Sequence, residues 1–106
     1  MEKKLHTILT QLCRHLEALY GNRLSRIVLY GSQARDEAGP DSDIDLLVVL
    51  RGTVDLCAEI DRTEYLISKM SLDYNVVIAC VFVSQDEFER ERSPLLLNIR
   101  REGIAV

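Results

Sequence analysis

From Ile44 to Leu50 the chain is apolar at every position except Asp45, with no alternation of apolar and polar residues. A strand with one wet face alternates with period two, whereas a strand covered on both faces reads as a continuous apolar run. This segment therefore predicts a strand sandwiched between two layers. That requirement points to an α/β fold, a small sheet flanked by helices.

The rest of the sequence supplies those layers. Leu5, Ile8, Leu9, Leu12, Leu16 and Leu19 recur at helical spacing until Gly21, which predicts a first helix from Lys3 to Tyr20. Arg26-Ile27-Val28-Leu29-Tyr30 is a β-rich run ended by Gly31, the first strand. A charged loop containing Gly39-Pro40 follows, from Arg35 to Ser42. Between Thr53 and Met70, Leu56, Ile60, Leu66, Ile67 and Met70 interleave with Glu59, Asp61, Arg62, Glu64 and Lys69, an amphipathic second helix. Tyr74 to Val83, rich in β-branched residues, reads as the third strand. Ser84 and Glu87 have capping-box spacing for a short acidic helix, and Ser93-Pro94 opens a last helix that closes before Gly103. No repeat or linker divides residues 1–106, so a single domain is expected.

Composition excludes several function classes. A net charge of −4 argues against a surface that coats nucleic acid, and no direct nucleic-acid binding is expected. The longest apolar run, Val76 to Val83, is too short to cross a bilayer. Met1-Glu2-Lys3-Lys4 leads into an amphipathic pattern rather than a signal-peptide core, so a cytoplasmic location is expected. Cys13, Cys57 and Cys80 are odd in number and form no CxxC pair, which suggests neither a disulfide framework nor a zinc site. They read as small buried apolar residues in a reducing compartment. His6 and His15 have no acidic or cysteine partner at ligand spacing.

Chemistry concentrates at the head of the apolar run. Asp43 and Asp45 are two apart on an extended chain, so their side chains share a face about 7 Å apart at Cα. Two parallel carboxylates offer hard oxygen ligands to Mg²⁺, which completes its shell with water and substrate phosphates. The plain alternative is a solvated strand end whose acids prevent edge pairing. Gly31-Ser32, just upstream, is a turn whose backbone N–H groups can face phosphates, and Ser32 can equally serve as a helix N-cap. The Arg35 guanidinium can bind phosphate or pair with Asp36 or Glu37, and Ser42 can position a nucleotide or cap the loop.

Two blocks, Leu29-Tyr30-Gly31-Ser32-Gln33-Ala34-Arg35 and Pro40-Asp41-Ser42-Asp43-Ile44-Asp45-Leu46-Leu47-Val48, resemble the nucleotidyltransferase superfamily that includes the polymerase-beta-like enzymes. More closely they resemble the minimal nucleotidyltransferases, small proteins paired with HEPN-domain partners in toxin–antitoxin modules. The resemblance implies a nucleotidyltransferase fold with a small sheet of mixed strand direction. It implies Mg²⁺ at Asp43 and Asp45, the triphosphate of ATP at Gly31-Ser32, and transfer of AMP to a hydroxyl acceptor. For the toxin–antitoxin members that acceptor is a tyrosine of the HEPN toxin, which makes the chain an antitoxin.

Relatives of this kind carry an aspartate at the start of the third strand, a further metal-facing carboxylate that can act as general base. The matching position here is Asn75, where relatives imply a catalytic residue; an amide can lend an oxygen but brings no charge and accepts no proton as a base. Asp73 would share that strand face if the strand began earlier, and is otherwise a loop acid. A second reading follows, a nucleotide-binding antitoxin of weak or no activity that neutralises its partner by binding. A third, a small-molecule adenylyltransferase of the aminoglycoside type, lacks the substrate domain in so short a chain. The length also leaves one side of any nucleotide pocket open, so a partner or a second copy is expected to complete it.

Overall fold

The computed structural model describes residues 3–35 and 43–106. Helix α1 spans Lys3–Tyr20, as its periodicity predicts, and buries Leu5, Ile8, Leu9, Leu12, Leu16 and Tyr20 along one face. A 3-10 turn, Gly21–Arg23, leads into β1, Leu24–Tyr30, and a single helical turn α2, Gly31–Ala34, follows directly. The apolar run forms β2, Ile44–Leu50. Then come α3, Leu56–Tyr74; β3, Ile78–Ser84; α4, Gln85–Arg90; α5, Pro94–Glu102; and a two-residue strand β4, Ile104–Ala105.

The four strands form one sheet in the order β3-β2-β1-β4. β1 runs antiparallel to both β2 and β4, and β2 runs parallel to β3. The sheet is therefore mixed, as the resemblance implies. Its inner strand β2 explains the unbroken apolar run, because each of its two faces meets a different helical layer. Ile44, Leu46, Val48 and Leu50 join Ile27, Leu29, Ile78 and Phe82 beneath α1 and Met70 of α3. On the opposite face Leu47 and Val49 meet Val28, Phe88 of α4, and Leu96 and Ile99 of α5. Truncating a fully enclosed side chain such as Leu12 or Leu46 to alanine costs about 2–5 kcal/mol.

Both short helices on that second face carry the caps their sequences announce. Ser84 accepts from Glu87 N at 3.0 Å while the Glu87 carboxylate accepts from Ser84 N at 3.3 Å. Ser93 accepts from Leu96 N, with Pro94 in the first turn. At the far end of α5 the chain is tight: a Cβ on Gly103 would stand 2.4 Å from Val28 Cγ1 and 2.5 Å from the Ile99 carbonyl oxygen. Glycine thus lets α5 close against β1 before β4 pairs with the same strand.

Several expectations are corrected. The second helix runs on to Tyr74, so the third strand begins at Ile78, not at Tyr74. Asn75 is consequently off the strand: it caps α3 in the left-handed region, φ 53° and ψ 51°, with its N–H donated to the carbonyls of Leu72 and Ser71. Asparagine tolerates that conformation and terminates helices there, a signal hidden beside the β-branched Val76-Val77. Asp73 lies in the last turn of α3, paired with Lys69 at 3.3 Å, and shares no strand face with Asn75. The buried stripe of α3 also differs, since Leu56 and Ile60 are half exposed whereas Glu59 and Thr63 are enclosed. Cys57 is exposed too, leaving only Cys13 and Cys80 partly buried in the core; enclosure pushes the Cys80 thiol up to about 12.

Candidate functional site

The C-terminal end of β1 and the N-terminal ends of β2 and β3 open at the same edge of the sheet, because β1 is antiparallel to β2 and β2 parallel to β3. Asp45, the second residue of β2, pairs across the sheet with Tyr30 on one side and Ala79 on the other. Strand alternation puts it on the face of Leu47 and Val49, toward α4 and α5. Asp43 stands exposed just before the strand, where the next residue, Ile44, donates its N–H to the Val77 carbonyl at 2.8 Å. The structure thus brings Asp43 and Asp45 together, and the two influence each other electrostatically.

The carboxyl of Asp45 is held above the ordinary range for aspartate, first by partial burial and then by the like charge of Asp43. Among the described residues, no lysine or arginine stands within ion-pair distance of either carboxylate. Two acids crowded together without a cation favour binding one, since a divalent ion removes both the repulsion and the desolvation penalty. Tyr30 feels the same field, its phenol raised by burial and by Asp45.

Gly31 links this pair to the turn. Its φ is +73°, a left-handed conformation, and a Cβ there would lie 2.5 Å from Asp45 Oδ2. A side chain at position 31 would therefore strain the backbone and displace the carboxylate. α2 is a single turn closed by the Arg35 N–H on the Gly31 carbonyl at 3.3 Å. Arg35 reaches away from that turn to Glu102, at the end of α5, with Nη1 to Oε2 3.6 Å. The two partners anticipated in sequence, Asp36 and Glu37, lie with Ser42 outside the described residues. A pocket of about 140 Å³ lies between the Gly31 turn and α5, lined by Tyr30, Gly31, Arg35, Leu95, Asn98, Ile99 and Glu102.

Among the described residues, the strands bring two carboxylates, Asp43 and Asp45, to this opening. The β3 residue beside Asp45 is Ala79, and Asn75 sits four residues upstream at a helix cap. Among the described residues no cluster of three or more acidic, histidine or cysteine side chains is set to hold a metal ion. The donor set nevertheless suits Mg²⁺, which needs only one or two carboxylates when substrate phosphates complete its shell. Among the described residues no helix is long and apolar enough to cross a membrane.

Sequence reasoning missed one polar centre. Glu59, 3% exposed, accepts from the Tyr20 hydroxyl at 2.8 Å and from Arg23 Nη1 at 3.3 Å, with Arg62 at 3.4 Å. Periodicity assigns a glutamate to the wet face, and only the two distant partners Tyr20 and Arg23 reveal otherwise.

Residues 8–102 match the family model described as a nucleotidyltransferase domain. The chain is 38% identical over 76 residues, 72% of its own length and 70% of the other's, to a protein of Methanocaldococcus jannaschii named putative protein adenylyltransferase. A solved structure described as a putative minimal nucleotidyltransferase superimposes with a TM-score of 0.62 at 26% identity, covering 100% of this chain and 97% of that one. A toxin–antitoxin crystal structure with AMP-PNP superimposes with a TM-score of 0.64 at 18% identity, over 98% of this chain and 72% of its own, and so speaks to the fold alone.

Proposed function

The chain belongs to the nucleotidyltransferase domain family, and from that premise we propose that it moves AMP from ATP onto a hydroxyl of a partner protein. The carrying observation is Gly31, whose left-handed turn lies directly against the Asp45 carboxylate, so a phosphate-facing turn and a metal-facing acid share one place. In this reading Asp43 and Asp45 hold Mg²⁺, the N–H groups of Gly31 and Ser32 meet the phosphates, and Arg35 adds a positive charge. Bound Mg²⁺ would neutralise phosphate charge and the leaving pyrophosphate. In this reading the chain's own residues orient the triphosphate toward an acceptor.

Two findings support a protein acceptor. The 38% identical relative is named for protein adenylyltransfer, and structures of the same fold come from toxin–antitoxin assemblies. The acceptor we propose is a tyrosine of a HEPN-type toxin, which the modification silences in the cytoplasm. ATP labelled in its α-phosphate, Mg²⁺ and a co-expressed HEPN-type protein provide the test. Mg²⁺-dependent label on the toxin, lost in Asp43→Ala/Asp45→Ala, is the expected result; equal labelling by that variant sinks the site assignment.

A second reading is favoured by Ala79. Where a third carboxylate would flank Asp45 there is only a methyl group, and no general base stands on β3 at that point. The chain would then bind nucleotide and neutralise its partner by contact. Toxin inhibition without any label transfer distinguishes this outcome.

A further inference from the structure

The backbone at Glu102 is well anchored. The residue ends α5, a helix held by buried Leu96 and Ile99, and Gly103 then closes onto the Ile99 carbonyl at 2.8 Å while β4 pairs with β1. Its side chain extends from that anchor to the rim of the pocket that the Gly31 turn shares with Tyr30 and Asn98. One oxygen, Oε2, lies 3.6 Å from Arg35 Nη1, and the other, Oε1, lies 3.9 Å from Arg101 Nη2. Arg35 and Glu102 are each about two-fifths exposed, 41% for both side chains, so their pair is weak and reversible.

We propose that Glu102 is a positioning residue that competes with nucleotide phosphate for Arg35, an inference that rests on the nucleotide-binding reading above. Without ligand, the Glu102 carboxylate draws the guanidinium toward α5. A triphosphate at the Gly31-Ser32 turn carries several negative charges and outcompetes a single carboxylate in a half-exposed setting. Glu102 is not stranded by that exchange, because Arg101 is already beside its second oxygen. The device weakens nucleotide binding by the strength of one surface ion pair, and does so only through Arg35.

Calorimetry of Mg²⁺ and ATP on the full chain tests this with Glu102→Gln, Arg35→Ala and the double variant. Glu102→Gln is expected to tighten Mg²⁺–ATP binding about two- to fivefold, and the gain should shrink as salt rises. In the Arg35→Ala background the same substitution should change nothing. A gain that persists without Arg35 reports only the loss of a nearby negative charge and overturns the proposal. Unchanged or weaker binding in Glu102→Gln also overturns it, weaker binding meaning that Glu102 aims Arg35 at the phosphates. If the wild type itself binds no Mg²⁺–ATP, the nucleotide reading fails, and this proposal falls with it.

Discussion

Two carboxylate centres in this protein have opposite characters. Glu59 is enclosed between α1 and α3, and each of its oxygens meets a donor from Tyr20, Arg23 or Arg62. Asp45 is only partly buried, feels the like charge of Asp43, and among the described residues has no cation within ion-pair distance. The tyrosine beside each records the difference: Tyr20 donates its hydroxyl to Glu59, whereas the phenol of Tyr30, which pairs with Asp45 across the sheet, is raised first by burial and then by the Asp45 charge. A buried acid whose needs are met inside the fold is architecture. An acid pair left short of positive charge at a sheet opening is a place for something from outside. On the proposed reading, burial alone ranks the two centres in the wrong order for function.

The comparison breaks most sharply at Glu59. Glu59→Ala removes two hydrogen bonds, from Tyr20 and Arg23, and the ion pair with Arg62, leaves a void, and should cost about 3 kcal/mol in denaturant unfolding. Nucleotide affinity of the folded fraction should stay within about twofold. A loss of affinity as large as the loss of stability would mean that the two centres are coupled. Asp45→Ala should do the reverse. It should weaken Mg²⁺-dependent ATP binding at least tenfold, about 1.4 kcal/mol, with no loss of stability in metal-free buffer.

Gly31→Ala sits between these extremes, since it touches both backbone and carboxylate. The left-handed φ should cost about 1–2 kcal/mol of stability, and the displaced Asp45 should lower Mg²⁺–ATP affinity as well. Stability lost with affinity unchanged would detach the turn from the site.

A smaller effect is expected from pH. The Asp45 pKa is higher folded than unfolded, so the folded state binds more protons between the two values. Stability contributed by this group is then greatest below the unfolded pKa and falls as pH rises through the folded one. Metal-free protein should lose a little stability across that window, and Asp45→Asn or added Mg²⁺ should remove the slope. Persistence of the slope in Asp45→Asn would assign it to another group. The smallest change belongs to Asn75→Asp, which should leave nucleotide affinity within about twofold because position 75 caps a helix off the β3 strand. A large rise in AMP transfer would return that residue to the site.

What the sequence made legible was whatever local pattern decides. The α1 stripe, the doubly covered β2 and the caps at Ser84 and Ser93 all follow from spacing within one element. The Asp43–Asp45 pair and the Gly31 turn were legible for the same reason, as neighbours along the chain. The end of α3 was not, because Tyr74-Asn75-Val76-Val77 suits a strand, while the helix continues on the strength of its packing and a left-handed cap. Glu59 was unreadable because its partners come from α1 and the turn after it. The Arg35–Glu102 pair was hidden likewise, bringing together residues far apart along the chain. Two-residue β4 is too short to leave a periodic trace and exists by pairing with β1.

The sheet order has a kinetic consequence. Tyr30, Gly31, Asp43 and Asp45 all belong to the antiparallel β1–β2 unit, joined by the shortest connection between paired strands in the sheet. Bringing β3 alongside β2 requires closing a longer loop through α3, and seating β4 on β1 requires nearly the whole intervening chain. Loop-closure entropy favours the β1–β2 ladder as the first to form, before either outer strand is in place. Its amides should be among the slowest to exchange with deuterium, and opening at the β4 edge would release Glu102 from Arg35 while the acid pair stays assembled.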